Sequence, residues 1–107
     1  MWEKNLKIYD QLVDLCPRFE RKGKTMPYTS ANGYMFSLLN KNGEFGIRLP
    51  KERGTEFKEK HSSTIFKSYG AVMKDYVLIP DDLMKDLPKL ASYLNESFDY
   101  VNTLKPK

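Results

Sequence analysis

The sequence contains a single cysteine, Cys16, and a single histidine, His61. One cysteine cannot form an internal disulfide, which excludes the small secreted proteins that depend on such bonds. One histidine excludes metal centres with two histidine ligands, so neither a zincin nor a zinc finger is possible. We therefore expect no metal site and no cofactor.

Long apolar runs are also missing. No segment approaches the roughly 18 consecutive apolar residues that a membrane span requires. The first residues, Met-Trp-Glu-Lys-Asn, lack the apolar stretch of a signal peptide. These absences predict a cytoplasmic protein that does not contact a membrane.

The length of 107 residues fits one domain, and we treat residues 1–107 as a single unit. Hydrophobic residues make up 40% of the chain and include six Phe and seven Tyr, which is enough apolar surface to build a core. The composition therefore predicts a folded globular domain.

Basic residues outnumber acidic ones by 18 to 14, a formal net charge of +4. Part of this excess is concentrated around Gly23. Nucleic-acid phosphates could be contacted by six residues here and in the following strands: Arg18, Arg21, Lys22, Lys24, Lys41 and Arg48. The simpler interpretation is a solvated sheet edge, where Lys and Arg oppose aggregation between sheets. We favour it because +4 is modest for a nucleic-acid-binding protein.

Residues 3–15 carry apolar side chains at intervals of three and four, which predicts an amphipathic helix with one buried face. That face comprises Leu6, Tyr9, Leu12, Val13 and Cys16. Pro17 ends the helix. Residues 19–29 then become aromatic, β-branched and basic, and Pro27 favours an edge strand or the end of a strand.

Two Asn-Gly pairs predict tight turns between strands. Asn42-Gly43 lies between strands predicted at residues 34–39 and 45–49, and both residues accept the positive φ of a type I′ turn. Asn32-Gly33 should turn the chain in the same way, which gives a three-stranded antiparallel meander. On the last strand of this meander, Gly46 and Arg48 are expected opposite a shared apolar face of Phe45, Ile47 and Leu49.

The second half predicts a short polar helix at 50–60 anchored by Phe57, a weak strand at 62–68, a bend at Tyr69-Gly70, and a strand at 71–79. The last strand has apolar residues on both faces, which is typical of a central strand. Its two predicted faces are Val72, Tyr76 and Leu78 against Met73, Val77 and Ile79.

Two helices are predicted after this strand. Asp81 should cap a short helix, and Asp86 should begin a longer one with Pro88 in its first turn. The longer helix has one apolar stripe: Leu87, Leu90, Ala91, Leu94, Phe98, Val101 and Leu104. The whole order predicts an α+β fold, with an antiparallel sheet of about four to five strands, an N-terminal helix, a short middle helix and C-terminal helices.

Residues that could carry chemistry do not form a known catalytic pattern. Cys16 is predicted on a buried helix face and His61 in a surface loop, so we do not expect a nucleophile and base pair. Asp81 and Asp82 lack the further oxygen ligands that a magnesium ion needs, and helix capping explains them better. The six glycines are isolated and match neither a P-loop nor a dinucleotide-binding fingerprint.

Aromatic residues have two interpretations. The meander carries four of them, Tyr28, Tyr34, Phe36 and Phe45, and these could stack on unpaired bases. Packing in the core is the more common fate of such residues. A ligand pocket between the sheet and the last helix could instead be lined by Tyr76, Tyr93 or Tyr100.

An ordered set of segments resembles the TfoX N-terminal domain family. The segments are Lys22-Gly-Lys-Thr-Met, Gly33-Tyr-Met-Phe-Ser-Leu-Leu, Gly43-Glu-Phe-Gly-Ile-Arg-Leu, Phe66-Lys-Ser-Tyr-Gly and Tyr76-Val-Leu-Ile-Pro-Asp-Asp-Leu. The C-terminal runs Leu94-Asn-Glu-Ser-Phe-Asp-Tyr-Val and Leu104-Lys-Pro-Lys are similar to the ending of the MmcQ/YjbR family. Together these segments cover roughly residues 18–107.

This resemblance implies a secretion-chaperone-like α+β architecture and a regulatory role like that of competence activators. The YjbR-type likeness adds a suggestion of DNA binding, and neither family implies catalytic residues. The chain departs from the TfoX pattern at Thr25-Met-Pro-Tyr-Thr29, where that family usually has Arg-Met-Phe-Gly-Gly, and it lacks the family's C-terminal helical domain.

Three functions follow in order of preference. The first is a non-enzymatic regulatory or protein-interaction module that binds a protein partner or forms a homodimer. The second is weak binding of nucleic acid through the basic residues named above. The third is a small-ligand binder or enzyme that uses the tyrosine pocket.

Overall fold

The computed structural model describes residues 2–23, 26–61, 65–68 and 71–106. In these residues, four helices and five strands follow one another. They are α1 (Trp2–Asp14), β1 (Tyr28–Ala31), β2 (Tyr34–Leu39), β3 (Phe45–Arg48), α2 (Lys51–His61), β4 (Ile65–Ser68), β5 (Ala71–Leu78), α3 (Asp81–Met84) and α4 (Leu87–Val101).

The five strands form one sheet in the order β1-β2-β3-β5-β4, and all neighbouring strands are antiparallel. The predicted α+β fold is therefore confirmed. β5 lies between β3 and β4, as expected for a strand that is apolar on both faces. The two edges are β1 and β4, and both are four residues long. Short edge strands offer little template for pairing with another sheet.

α1 agrees with the predicted helix to within one residue at each end. Its apolar face is buried at Tyr9, Leu12 and Val13, and Cys16 is buried just beyond the helix. These residues share the main core with α4, whose Leu90, Leu94 and other stripe residues face the same cluster. α1 and α4 thus pack together on one side of the sheet.

A buried hydroxyl network joins α1 to the sheet. The Tyr9 hydroxyl lies 2.7 Å from Ser37 Oγ on β2, and Ser37 Oγ also hydrogen-bonds to Thr29 on β1. All three residues are almost fully buried. Buried hydroxyls without partners are costly, so this network sets the position of α1 over the first two strands.

The two Asn-Gly turns differ in conformation. Asn32 and Gly33 both have positive φ, 56° and 82°, as a type I′ turn requires. Gly43 has a φ of 83°, but Asn42 does not have a positive φ. The predicted hairpin is confirmed, whereas its predicted type I′ turn is wrong.

The cause of this difference is Asn40. Its side-chain oxygen accepts hydrogen bonds from the backbone N–H groups of Asn42 and Glu44, at 3.0 and 2.9 Å. Its backbone oxygen accepts from the N–H of Gly43 at 3.0 Å. These bonds favour a longer turn in which only Gly43 takes the left-handed conformation.

β1 is shorter than the region predicted for it. The strand begins at Tyr28, directly after Pro27, because proline has no N–H to donate to a ladder. Lys22 forms an isolated bridge to Tyr28, so one part of the predicted segment still lies along the edge strand. Residues 24 and 25 lie outside the described residues.

α2 forms as predicted, and Phe57 is its buried anchor at 1% exposure. His61 is the last residue of α2 and is partly buried, so its predicted place in a surface loop is wrong. Arg53, Phe57 and His61 recur every four residues and lie on the same side of the helix. That side faces α4 through Tyr93.

The pairing of β4 with β5 is irregular. Ile65 is opposite Val77, yet Lys67 is opposite Val72, so the two strands advance by different numbers of residues. A bulge of this kind changes which face a side chain occupies. Met73 consequently packs with Tyr76 rather than with Val77, which corrects the predicted faces of this strand. The predicted bend at residues 69 and 70, and the first three residues of the strand predicted at 62–68, lie outside the described residues.

The two C-terminal helices begin differently. α3 has Pro80 at its N-cap position and no side-chain cap, so the predicted capping by Asp81 is wrong: Asp81 is already inside the helix. Asp86 is the N-cap of α4 and accepts a hydrogen bond from the N–H of Lys89 at 3.3 Å, and Pro88 lies in the first turn as predicted.

Candidate functional site

Two of the predicted nucleic-acid-binding arginines are held by acidic residues. Arg18 donates to Asp99 Oδ1 at 2.8 Å and to Asn95 Oδ1 at 3.0 Å, both on α4. Arg21 donates to Asp10 Oδ1 on α1 at 3.0 Å. The two arginines thus contact different helices, and a carboxylate offsets the charge of each.

Two of the predicted lysines, Lys22 and Lys41, have separate positions. Lys22 Nζ lies 3.4 Å from Ser30 Oγ on β1. Lys41 is exposed in the turn between β2 and β3, and Lys24 lies outside the described residues. Within the described residues, the contacts of Lys22 do not join it to Arg18 or Arg21.

Arg48 lies at the end of β3 with an acid and two aromatic rings around it. Its Nη2 is 3.6 Å from Asp75 Oδ2, and its guanidinium carbon is 5.3 Å from the centre of the Tyr34 ring and 6.0 Å from that of Tyr100. Within the described part of the chain, its buried Nε has no hydrogen-bond partner. Arg48 is therefore tied to local groups, and its side chain is only 20% exposed.

Cys16 and His61 have different neighbours. Cys16 is 1% exposed and contacts Leu12 and Asn95, and its burial raises the pKa of the thiol. His61 packs against Phe57 and Tyr93. A buried thiol with a raised pKa is a poor nucleophile.

The sequence interpretation missed a polar cluster between α2 and α4. His61 Nε2 lies 3.3 Å from the Tyr93 hydroxyl, and Arg53 lies over the Tyr93 ring at 5.3 Å while donating to Glu96 at 2.8 Å. Burial lowers the pKa of the His61 imidazole, and nearby lysines lower it further. The four-residue spacing of Arg53, Phe57 and His61 was the available signal, but nothing in the sequence pairs them with Tyr93.

An open cavity of about 500 Å³ adjoins this cluster and is lined by Arg53, Tyr93 and Glu56 among others. Arg53 is engaged by two glutamates, Glu56 at 3.2 Å and Glu96 at 2.8 Å. The cluster therefore binds α2 to α4, and its cation is already paired.

The three tyrosines predicted to line one pocket are separated. Tyr93 faces α2, and Tyr100 lies near Arg48. The Tyr76 ring stacks with Phe66 at 6.1 Å in a second cluster, and its hydroxyl donates to the Met35 carbonyl. These contacts do not form the predicted pocket.

That second cluster is the surface that most differs from an ordinary sheet face. Its buried residues are Leu38, Phe66 and Tyr76, and its partly buried residues are Met26, Tyr28, Met35, Met73 and Leu78. Among the residues that the structure describes, no helix contributes to it. We call this surface the helix-free face.

A sheet face that is open to water usually carries polar side chains. The helix-free face instead has three partly buried methionines, Met26, Met35 and Met73, around a buried aromatic pair. Methionine side chains are flexible and polarizable, and they suit surfaces that adapt to a partner. Of the four meander aromatics, Tyr28 lies here, whereas Phe36 and Phe45 are in the main core and Tyr34 packs against it.

The chain matches no family model, no curated protein and no solved structure in the comparisons made. In the described ranges, three or more potential metal ligands never cluster. The helices of these ranges include none that is long and apolar enough to cross a membrane.

Proposed function

We propose that this chain is a non-enzymatic interaction module that binds a protein partner, or a second copy of itself, through the helix-free face. The observation that carries the proposal is the apolar, methionine-rich composition of a sheet face over which no described helix packs. Methionine and aromatic residues are enriched in protein interfaces. The likeness to the TfoX N-terminal domain family supports a regulatory role in the cytoplasm.

The charged side chains also favour binding of protein over binding of nucleic acid. The arginines named for nucleic acid, Arg18, Arg21 and Arg48, each face a carboxylate at 3.6 Å or less. A phosphate would have to compete with these partners. The helix-free face requires no such exchange, because its apolar side chains gain by leaving water.

Replacing Met35 and Met73 together by Gln tests the proposal. Gln keeps the length of the side chain but adds polar atoms, so we expect binding of the partner, or self-association, to weaken roughly tenfold or more. The partner is first identified by crosslinking in an extract of the source cells, and its affinity for the purified chain is then measured. Sedimentation of the purified chain reports self-association.

Met84→Gln is the matched control. Met84, the last residue of α3, is also partly buried but packs against the main core, so this change should leave binding unaltered. Oxidative footprinting provides a second readout: the partner should protect Met26, Met35 and Met73, but not Met84. A chain that stays monomeric and retains no partner, or equal losses in both variants, would contradict the proposal.

A further inference from the structure

The two Asn-Gly pairs differ in a way that matters for their chemical stability. In an Asn-Gly sequence, the glycine nitrogen can attack the asparagine side-chain carbon, and asparagine is a thermolabile residue for this reason. The reaction requires the asparagine side chain to rotate and the glycine nitrogen to be released from its hydrogen bond. Local structure therefore decides which pair reacts.

The side chain of Asn32 is held at its amide nitrogen. Nδ2 donates to the carbonyl oxygens of Val101 and Leu104, at 2.8 and 2.9 Å. Both bonds link the β1–β2 turn to the end of α4. Rotation of this side chain would break both at once.

Asn42 is exposed, and only its backbone N–H, not its side chain, takes part in the hydrogen bonds of the turn. At this turn the reacting Gly43 nitrogen is held by one backbone hydrogen bond, which it donates to the Asn40 carbonyl oxygen at 3.0 Å. Reaction at Asn42 therefore requires this one hydrogen bond to open, whereas reaction at Asn32 requires both bonds of its side chain to open. The difference of one hydrogen bond corresponds to a reaction about fivefold faster at Asn42 than at Asn32.

The Asn42 turn also anchors the start of α1. Asn5 Nδ2 donates to the Gly43 carbonyl at 2.6 Å, and Trp2 Nε1 donates to the Asn40 carbonyl at 3.1 Å. A Cβ on Gly43 would lie 3.1 Å from Asn5 Nδ2, which shows how closely the turn and the helix approach. A change in the backbone between residues 42 and 43 must disturb these contacts.

We propose that Asn42-Gly43 is a site of spontaneous covalent modification that releases the first turn of α1 from the sheet. The Gly43 nitrogen forms a bond to Cγ of Asn42, the Cγ–Nδ2 bond breaks, and ammonia leaves with the amide proton. Water then opens the cyclic imide at either carbonyl and yields aspartate or isoaspartate. The net reaction consumes one water and releases one ammonia, with no oxidant or reductant.

Isoaspartate adds a methylene group to the main chain between Asn42 and Gly43. The added length moves the Gly43 carbonyl away from Asn5 and removes the N–H positions that Asn40 now binds. The anchor of α1 is thereby lost, while its later residues, Tyr9 and Leu12, remain in the core.

The experiment incubates the purified chain at mildly alkaline pH and follows both asparagines by peptide mapping with mass spectrometry. We expect Asn42 to be converted about fivefold faster than Asn32, or more. Hydrogen exchange of the aged protein should be faster in the first turn of α1 than in unmodified chain. Equal rates at the two sites, faster loss at Asn32, or an unchanged first turn after conversion would each overturn the proposal.

Two variants sharpen the test. Asn5→Ala removes a bond to the Gly43 carbonyl but none to the reacting groups, so the rates of conversion at Asn42 and Asn32 should be unchanged, while hydrogen exchange in the first turn of α1 should be faster even before incubation. Asn42→Gln should block the change in hydrogen exchange, because glutamine forms the corresponding ring much more slowly. If exchange in the first turn rises equally in Asn42→Gln during incubation, isoaspartate is not its cause.

Discussion

Gly46→Ala is expected to lower the free energy of unfolding by about 1 to 3 kcal/mol. A Cβ at this position would lie 2.6 Å from Cδ2 and Cζ of Phe66, and nearer still to Cε2. Phe66 is fully buried and its ring stacks with that of Tyr76, so the new methyl group must displace a packed ring. In an ordinary strand, replacing glycine by alanine should stabilise the protein, so the expected sign is reversed by this contact.

Gly54→Ala is the matched control for this prediction. Gly54 lies inside α2, and its Cβ would be 3.7 Å from Val77 Cγ1, an ordinary contact. The same substitution should therefore stabilise the protein by about 0.5 to 1 kcal/mol. Urea unfolding of both variants measures the two effects. Similar free-energy changes in the two variants would show that the Phe66 ring does not restrict Gly46.

A double-mutant cycle identifies the cause more directly. Phe66→Leu removes part of the ring that meets the new methyl group, so Gly46→Ala should cost less in that background than in the natural chain. Residues in direct contact show such coupling, and distant ones do not. If the free-energy changes of the two substitutions are additive, contact with the Phe66 ring is not the cause of the destabilisation by Gly46→Ala.

The chain is also expected to lose stability in alkaline solution because of Tyr9. Burial raises the pKa of the Tyr9 hydroxyl above its ordinary value of 10.0, while hydrogen bonds from Ser37 and Thr29 oppose this change. The folded state thus retains a proton that the unfolded chain releases above pH 10.0. Stability from this group is complete below that pH and falls by about 1.4 kcal/mol per pH unit above it.

Tyr9→Phe separates this effect from the titration of other groups. At neutral pH the variant should be about 1 kcal/mol less stable, because the hydroxyl bond to Ser37 is lost. Above pH 10 its free energy of unfolding should fall less steeply than that of the natural chain. Since the two proteins share every other titrating group, parallel curves would contradict the assigned role of Tyr9.

Local sequence signals predicted the elements of the fold well. The apolar repeats gave α1 and α4, and Asn-Gly pairs gave both hairpins, because these features act over a few residues. The turn at Asn42 was assigned the wrong type, since its geometry depends on the side chain of Asn40. The position of Met73 was wrong for a similar reason: a bulge between β4 and β5 reverses its face, and alternation alone cannot indicate a bulge.

The candidate site was harder to predict than the fold. Met26, Met35, Met73 and Phe66 come from four separate segments, and only the strand order brings them together. The basic residues were also hard to interpret, because they are close together in the sequence but their acidic partners are not. Arg18 and Asp99 are far apart in the sequence, so a cluster of positive charge in the chain gave no sign that a distant carboxylate offsets it.

The position of α4 has a consequence for biosynthesis. Leu90, Leu94 and Val101 of this helix complete the core over β2 and β3, which are made much earlier. During translation, the side chains of Phe36 and Phe45 therefore lack part of their final covering until α4 has been synthesised. The nascent chain is most prone to aggregation in that interval. A fragment that ends before α4 should expose apolar surface of the sheet and aggregate.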